Sequence, residues 1–258
     1  MKPFTYKSSA ILNPAALQRI SGIFLLLLAG FSTGFGADFW EKKNYKEWSQ
    51  KECSKMLEDS PWAKTFALTS VQIMQSSGRD GATMGGEQQP YIKYLVQFRS
   101  ATPVRQALVR QMQIAQKYDS LPPEQKQQFD NNAEAFLSGS MADAVIVQVK
   151  YTTNSQPNDL ELARHWQSQT ADLLKNSVYL IGSKGDKVPV AQYAAAPGGQ
   201  REFQFIFPRQ VYGKTVVGPG DKSLKLEFPY PIIGNMGDGR AFLEFKVEKL
   251  TFQGNITY

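Results

Sequence analysis

From Ser177 onward the chain is built of short alternating runs of apolar and polar residues. SVYLIGS (177–183) and KVPVAQYA (187–194) flank a Lys184-Gly185-Asp186 turn. REFQFIF (201–207), SLKLEF (223–228) and AFLEFKVEKLTF (241–252) follow, joined by Gly/Pro-rich links such as Gly218-Pro219-Gly220. Successive side chains of a strand point to opposite faces, so alternation leaves one face apolar and in need of a cover. A series of such strands separated by turn residues predicts a sandwich or a strongly curved antiparallel sheet. Phe203, Phe205 and Phe207 should share one face, and Leu224, Leu226 and Phe228 another, with Phe242, Leu243 and Val247 following less regularly. DAVIVQVKYT (143–152), rich in Val and Ile, should join this sheet, with a central place expected.

Upstream the period changes. Ser49 and Glu52 read as a capping box, with Trp48 and Cys53 placed as a hydrophobic staple and Met56 and Leu57 continuing the stripe to Ser60-Pro61. KTFALTSVQIMQ (64–75), with Phe66, Leu68, Val71 and Ile73, and YIKYLVQFR (91–99) predict two strands of a hairpin, joined by a loop from Ser76 to Pro90. Thr102 should cap a helix with Pro103 first, its core face being Val104, Ala107, Leu108, Met112 and Ala115 and its wet face Arg105, Arg110, Gln113 and Lys117. Pro122-Pro123 open a second helix with a core stripe of Phe129, Ala133, Phe136 and Leu137, ended by Ser138-Gly139. Asn158 and Glu161 should box a third, to about Asn176, lined by Leu162, Trp166 and Leu173. The expected fold class is α+β: an N-terminal helical arm and helix-bearing first half, then an antiparallel β-rich, sandwich-like second half.

The first residues carry an address. Lys2, Lys7 and Arg19 precede an apolar run from Ile20 to Phe31, followed by small residues at Ser32, Thr33, Gly34 and Gly36. That order predicts a signal peptide over 1–36, cut before Ala37, and a single exported domain over 37–258 with possible lobes at 37–140 and 141–258. The run is short of the roughly 20 apolar residues that span a bilayer, so an uncleaved inner-membrane anchor over residues 20–35 is the lesser reading. No Cys ends the run, which disfavours a lipid-modified N-terminus. The expected location is therefore periplasmic or extracellular.

The leader's three bases account for half of the +6 formal charge, leaving +3 on residues 37–258. That weak, dispersed excess, without basic blocks interleaved with aromatics, points away from nucleic acid. Cys53 is the single cysteine, so no intrachain disulfide is possible, and a buried thiol is expected.

Catalytic signatures are absent from the sequence. His165 is the one histidine and has no G-x-S-x-G elbow to serve, so a surface or packing role is expected. One His and one Cys cannot assemble a spaced zinc or haem site, and no cofactor is expected. The glycine-rich loop from Gly78 to Gly86 lacks the G-K-[ST] ending of a phosphate cradle, and Gly218–Ser223 has the wrong glycine spacing. Asn235–Gly239 lacks the alternating ligands of a calcium loop, and Asn255-Ile256-Thr257 is a bare glycosylation sequon. Glu41, Glu47, Glu52, Glu58 and Asp59 alternate with lysines as a solvated face would, although a carboxylate-only hydrolase needs just such acids. Trp40, Trp48 and Trp62 are the candidate site residues: an arm that docks by burying aromatics, or a stacking surface for a saccharide.

Phe39-Trp40-Glu41-Lys42, Trp48-Ser49, Glu52 and Asp59-Ser60-Pro61-Trp62-Ala63 form an F-W-E-K…W-S-x-x-E…D-S-P-W-A pattern. With it, the chain resembles a group of uncharacterised exported bacterial proteins that carry this pattern after a signal peptide. Phe205–Gly213 (F-x-F-P-R-x-x-x-G) and the close near Phe252-Gln253-Gly254 resemble the same group. The resemblance implies export and supplies no activity and no catalytic residue. The functional expectation is a non-enzymatic binding or structural module of the cell envelope, partnered by an envelope protein. The alternatives are a periplasmic saccharide or small-ligand binder using aromatic faces, and a carboxylate-based hydrolase.

Overall fold

The computed structural model describes residues 39–69, 90–139, 141, 143–196, 200–218, 220–234 and 236–258. The predicted leader, the predicted strand beyond Thr69 and the loop from Gly78 to Gly86 lie outside the described residues. Trp40–Tyr258 form one compact unit.

The helices are α1 (Phe39–Lys42), α2 (Gln50–Glu58), α3 (Thr102–Ala115), α4 (Pro123–Ser138), α5 (Gln156–Gln167) and α6 (Ala171–Leu174). The longer strands are β1 (Ala63–Thr69), β2 (Tyr91–Phe98), β3 (Ala144–Thr153), β4 (Tyr179–Ile181), β5 (Lys187–Pro189), β6 (Gln192–Ala195) and β7 (Glu202–Pro208). After the short hairpin of β8 (Gln210–Val211) and β9 (Lys214–Thr215) come β10 (Ser223–Tyr230) and β11 (Gly239–Lys246), then a second short hairpin, β12 (Thr251–Phe252) and β13 (Asn255–Ile256).

Two antiparallel sheets result. The first runs β1-β2-β3-β7-β6, with β3 at its centre as expected, and the second runs β11-β10-β4-β5. The first draws strands from both sides of position 140. β5 and β6 belong to different sheets although only Val190 and Ala191 separate them: Val190 N–H donates to Val178 O at 3.1 Å and Ala191 N–H to Ile206 O at 2.9 Å. The chain thus switches sheets at a corner, as sandwiches do.

The alternating pattern decides which faces meet. Register aligns Tyr94 with Tyr151, Val96 with Val149 and Phe203, and Phe98 with Val147 and Phe205. From the second sheet come Leu224, Leu226 and Phe228, all fully buried. Tyr94 meets Phe228 edge-on with ring centroids 5.7 Å apart, and Phe98 meets Phe245 at 4.7 Å, so the two sheets share one aromatic core. Trp166 of α5 lies stacked on Phe203 at 4.0 Å and caps that core. On β11 the buried residues are Ala241, Leu243 and Phe245, whereas Phe242 is 63% exposed; a period of two cannot turn Phe242 and Leu243 inward together.

The capping box at Ser49 and Glu52 forms in both directions, and Trp48 and Cys53 are buried beside it. Other helix expectations are corrected. Thr102 does not cap α3: it lies inside the first turn, Ala101 holds the cap position, and the Thr102 N–H donates to Thr257 Oγ1 at 3.0 Å. An orphan donor of the helix start is thereby satisfied from the far end of the chain. α5 starts earlier than expected because Ser155, not Asn158, accepts at its N-terminus, and a new start capped by Thr170 breaks it from α6. Across that break Leu174 is buried, and Leu173 is 64% exposed.

Candidate functional site

α2 and α3 cover the outer face of the first sheet. The register there sets Gln97, Gln148 and Gln204 in a row across β2, β3 and β7. Gln204 Nε2 donates to Gln148 Oε1 at 2.9 Å, Gln148 Nε2 donates to Phe203 O at 3.2 Å, and Gln97 Nε2 donates to Leu57 O of α2. One residue beyond β2, Arg99 donates its backbone N–H to Ile146 O at 2.8 Å. Arg99 and Ile146 thus continue the outer face past the glutamine row.

α3 does not lie as its pattern suggested. Arg105 and Gln113, expected to be wet, are buried, and Met112, expected in the core, is 45% exposed. The reason lies in what each polar group reaches. Arg105 Nη2 donates to Phe136 O and, at 3.1 Å, to Gly139 O, and its guanidinium sits 5.2 Å from the Phe136 ring. It thereby takes up carbonyls at the α4 C-terminus, where a cation also suits the helix dipole. Arg110 Nε donates to Trp48 O at 2.9 Å and its Nη1 to Gln113 Oε1 at 3.2 Å, which ties α3 to the arm.

α4 contains no buried residue, so its predicted core stripe is only partly covered: Phe129, Ala133 and Leu137 are half-buried and Phe136 is exposed. The helix is held at its ends. Tyr118 packs on Phe129 at 5.4 Å and donates its hydroxyl to Asp130 Oδ2 at 2.7 Å, while Lys126 Nζ donates to Asp119 O at 2.8 Å. Arg105 secures the other end.

The consequence is a groove of about 510 Å³ between α3, α4 and the sheet. Leu108, Met112 and Ala115 form one wall at helical spacing, Phe136 and Met141 the opposite one, and Ile146 part of the floor. Among the described residues, polar groups enter only as Arg99, Gln111 and Gln204. Burial pushes the Arg99 guanidinium downward from its ordinary range, partly opposed by the field of the Glu202 carboxylate. Among the described residues that guanidinium has no hydrogen-bond or ion-pair partner, and Glu202 is paired with Lys150 Nζ at 3.5 Å.

Trp40, Trp48 and Trp62 lie elsewhere. All three are buried. Trp40 and Trp62 meet edge-on at 5.7 Å, Trp48 Nε1 donates to Lys43 O at 3.3 Å, and Trp62 Nε1 donates to Thr257 O at 2.7 Å. Their burial makes them core aromatics, not a binding surface, and leaves none of these three indole faces open for a sugar to stack on.

The acids of the arm are scattered over local tasks. Glu52 serves the capping box and pairs with Lys43 Nζ at 2.5 Å; partial burial acts against its ionisation, but hydrogen bonds from Lys43 and Ser49 hold its carboxyl below the usual range. Glu41 accepts from Gln253 N–H at 3.2 Å. His165 packs on Trp166 at 4.8 Å, and burial lowers its pKa. Cys53 is a buried free thiol that burial pushes up to about 11. Among the described residues no group of three or more His, Cys, Asp and Glu gathers where it could hold a metal, and no helix is long and apolar enough to cross a membrane.

Sequence reasoning missed the groove because Leu108, Met112 and Phe136 were assigned to the core. The available signal was two consecutive amphipathic helices offering more apolar stripe than one sheet face could cover. Comparison of the chain with protein-family models, curated proteins and solved structures finds no match.

Proposed function

We propose that this chain is an exported, non-enzymatic binding module of the cell envelope, and that it holds a small apolar-faced ligand in the groove between α3, α4 and the first sheet. One observation carries the reading: about 510 Å³ of concave surface lined mainly by Leu108, Met112, Phe136, Met141 and Ile146, with few polar groups. Small-molecule sites have this composition and volumes of roughly 300–1,000 Å³. Export rests on the leader pattern and on the resemblance at Phe39–Ala63. Saccharide stacking loses its candidate rings to the interior, and the engagement of Glu41 and Glu52 in structural bonds gives a carboxylate hydrolase no support.

The test is fluorescence titration with N-phenyl-1-naphthylamine, a neutral fluorophore that brightens in apolar surroundings. Wild-type protein should raise its emission saturably, and Met112→Glu, at a half-exposed position, should abolish the rise while leaving the circular dichroism spectrum intact. Absence of a saturable signal, or an unchanged signal in Met112→Glu, overturns the proposal.

A further inference from the structure

We infer that the groove is built for a single-chain amphiphile with a carboxylate head, a long-chain fatty acid in chemical class, with Arg99 receiving the head. This rests on the groove being a binding site, and it adds the identity of the ligand.

Among the described residues, Arg99 is the one charged group in a mainly apolar lining. A cation taken out of water is costly unless it is paired, and partly buried arginines are normally met by a carboxylate or by carbonyls. The neighbouring arginines follow that rule. Arg105 holds Phe136 O and Gly139 O, and Arg209 holds Met141 O at 2.8 Å and Tyr258 O at 2.6 Å. Arg99 is half-buried at the groove and, among the described residues, makes none of these bonds. The acid whose field it feels, Glu202, is taken by Lys150. The guanidinium therefore has its donors in reserve, in a planar fork that fits a carboxylate through two parallel bonds.

The rest of the groove suits a hydrocarbon tail. Met112, Met141 and Leu108 are flexible aliphatic walls that adapt to a chain without demanding directional bonds. Gln204 also lines the groove with its Nε2 engaged with Gln148, and Gln111 carries no charge, so the cation is the group that can select an anionic head. A ligand matching this surface has one anionic end and one apolar body. The volume is that of a small-molecule site, which commits the inference to a free single-chain acid over a two-chain lipid in a bilayer.

The experiment is displacement of bound N-phenyl-1-naphthylamine from the full chain by palmitic acid and by palmityl alcohol, in wild type and in Arg99→Met and Arg99→Lys. Palmitic acid should displace the probe at least about tenfold more effectively than the alcohol, the scale of one charge-assisted pair. Arg99→Met should lose the preference for the acid over the alcohol, read as the ratio of the two displacements within that variant, and Arg99→Lys should keep part of it. Equal displacement by acid and alcohol in wild type, with probe binding intact, overturns the carboxylate inference and leaves the groove reading standing. Loss of probe binding in wild type itself removes the groove reading. Co-sedimentation with phosphatidylglycerol vesicles in preference to free palmitate, or concentration-dependent dimerisation that expels the probe, also overturns it, since each gives the groove a different occupant.

Discussion

Trp62 donates its indole N–H to the carbonyl oxygen of Thr257 at 2.7 Å, across 195 residues of chain. The hydroxyl of the same threonine receives the Thr102 N–H at 3.0 Å, so one residue closes both the arm and the start of α3. Thr257 is held there by a tight turn: Gln253 and Gly254, at φ 49° and 76°, form the two-residue link of β12 and β13, a backbone that suits glycine. The D-S-P-W-A stretch and the chain's closing hairpin are thus two sides of one joint.

Breaking that joint should destabilise the protein by its hydrogen bonds. Trp62→Phe keeps most of the ring but orphans the Thr257 carbonyl, at a cost of about 1–3 kcal/mol. Thr257→Val removes the acceptor at the α3 start and should cost about 1 kcal/mol, while Thr257→Ser should cost little. Urea denaturation midpoints measure all three. A Thr257→Val protein as stable as wild type would mean that water replaces the threonine at that helix end.

Arg105 should govern the order of α4. No residue of α4 is buried, so the helix lacks the packing from which most helical stability comes. Arg105→Met removes the bonds to Phe136 O and Gly139 O. Amide exchange over residues 123–138 should then accelerate while β2, β3 and β7 remain protected, the signature of local opening. Unchanged protection of α4 would show that the Tyr118 end alone holds it.

Alkaline pH should weaken the fold through three groups. Burial pushes Cys53 up to about 11, and it raises Tyr94 and Tyr193 above the ordinary phenol range. Each prefers its proton in the native state, whereas the unfolded chain releases protons near about 8.5 for a thiol and about 10 for a phenol. Their contribution is therefore complete below about pH 8.5 and is lost as pH rises through the native values. Urea midpoints should fall steadily from pH 8.5 to 11, and Cys53→Ser should flatten the early part of the decline. A midpoint independent of pH over that range would refute the assignment. At pH 8 the native thiol should also resist a disulfide reagent that titrates it at once in urea.

Much of the fold was readable because its signals are local. The box of Ser49 and Glu52 needs four consecutive residues, and the inward faces of β7 and β10 follow from a period of two. Where the pattern was ambiguous, as at Phe242 and Leu243, backbone pairing with β10 settled it. The errors on α3 and α4 share another cause. Helical periodicity shows that a stripe exists, but not whether anything lies against it. Arg105 is buried because α4 ends in unsatisfied carbonyls beside it, and Met112 is open because no described residue closes over it.

The sequence by itself determined the period of each element, the caps that are close in sequence, and the alternation that forces a two-layer core. Only the tertiary structure decided the register that lines up Gln97, Gln148 and Gln204, the carbonyls that Arg105 reaches, and the mainly apolar surround in which Arg99 lies without a partner among the described residues. The physical reason is range. Propensity and periodicity act over a few residues, whereas burial, desolvation and the supply of hydrogen-bond partners depend on which distant segments meet.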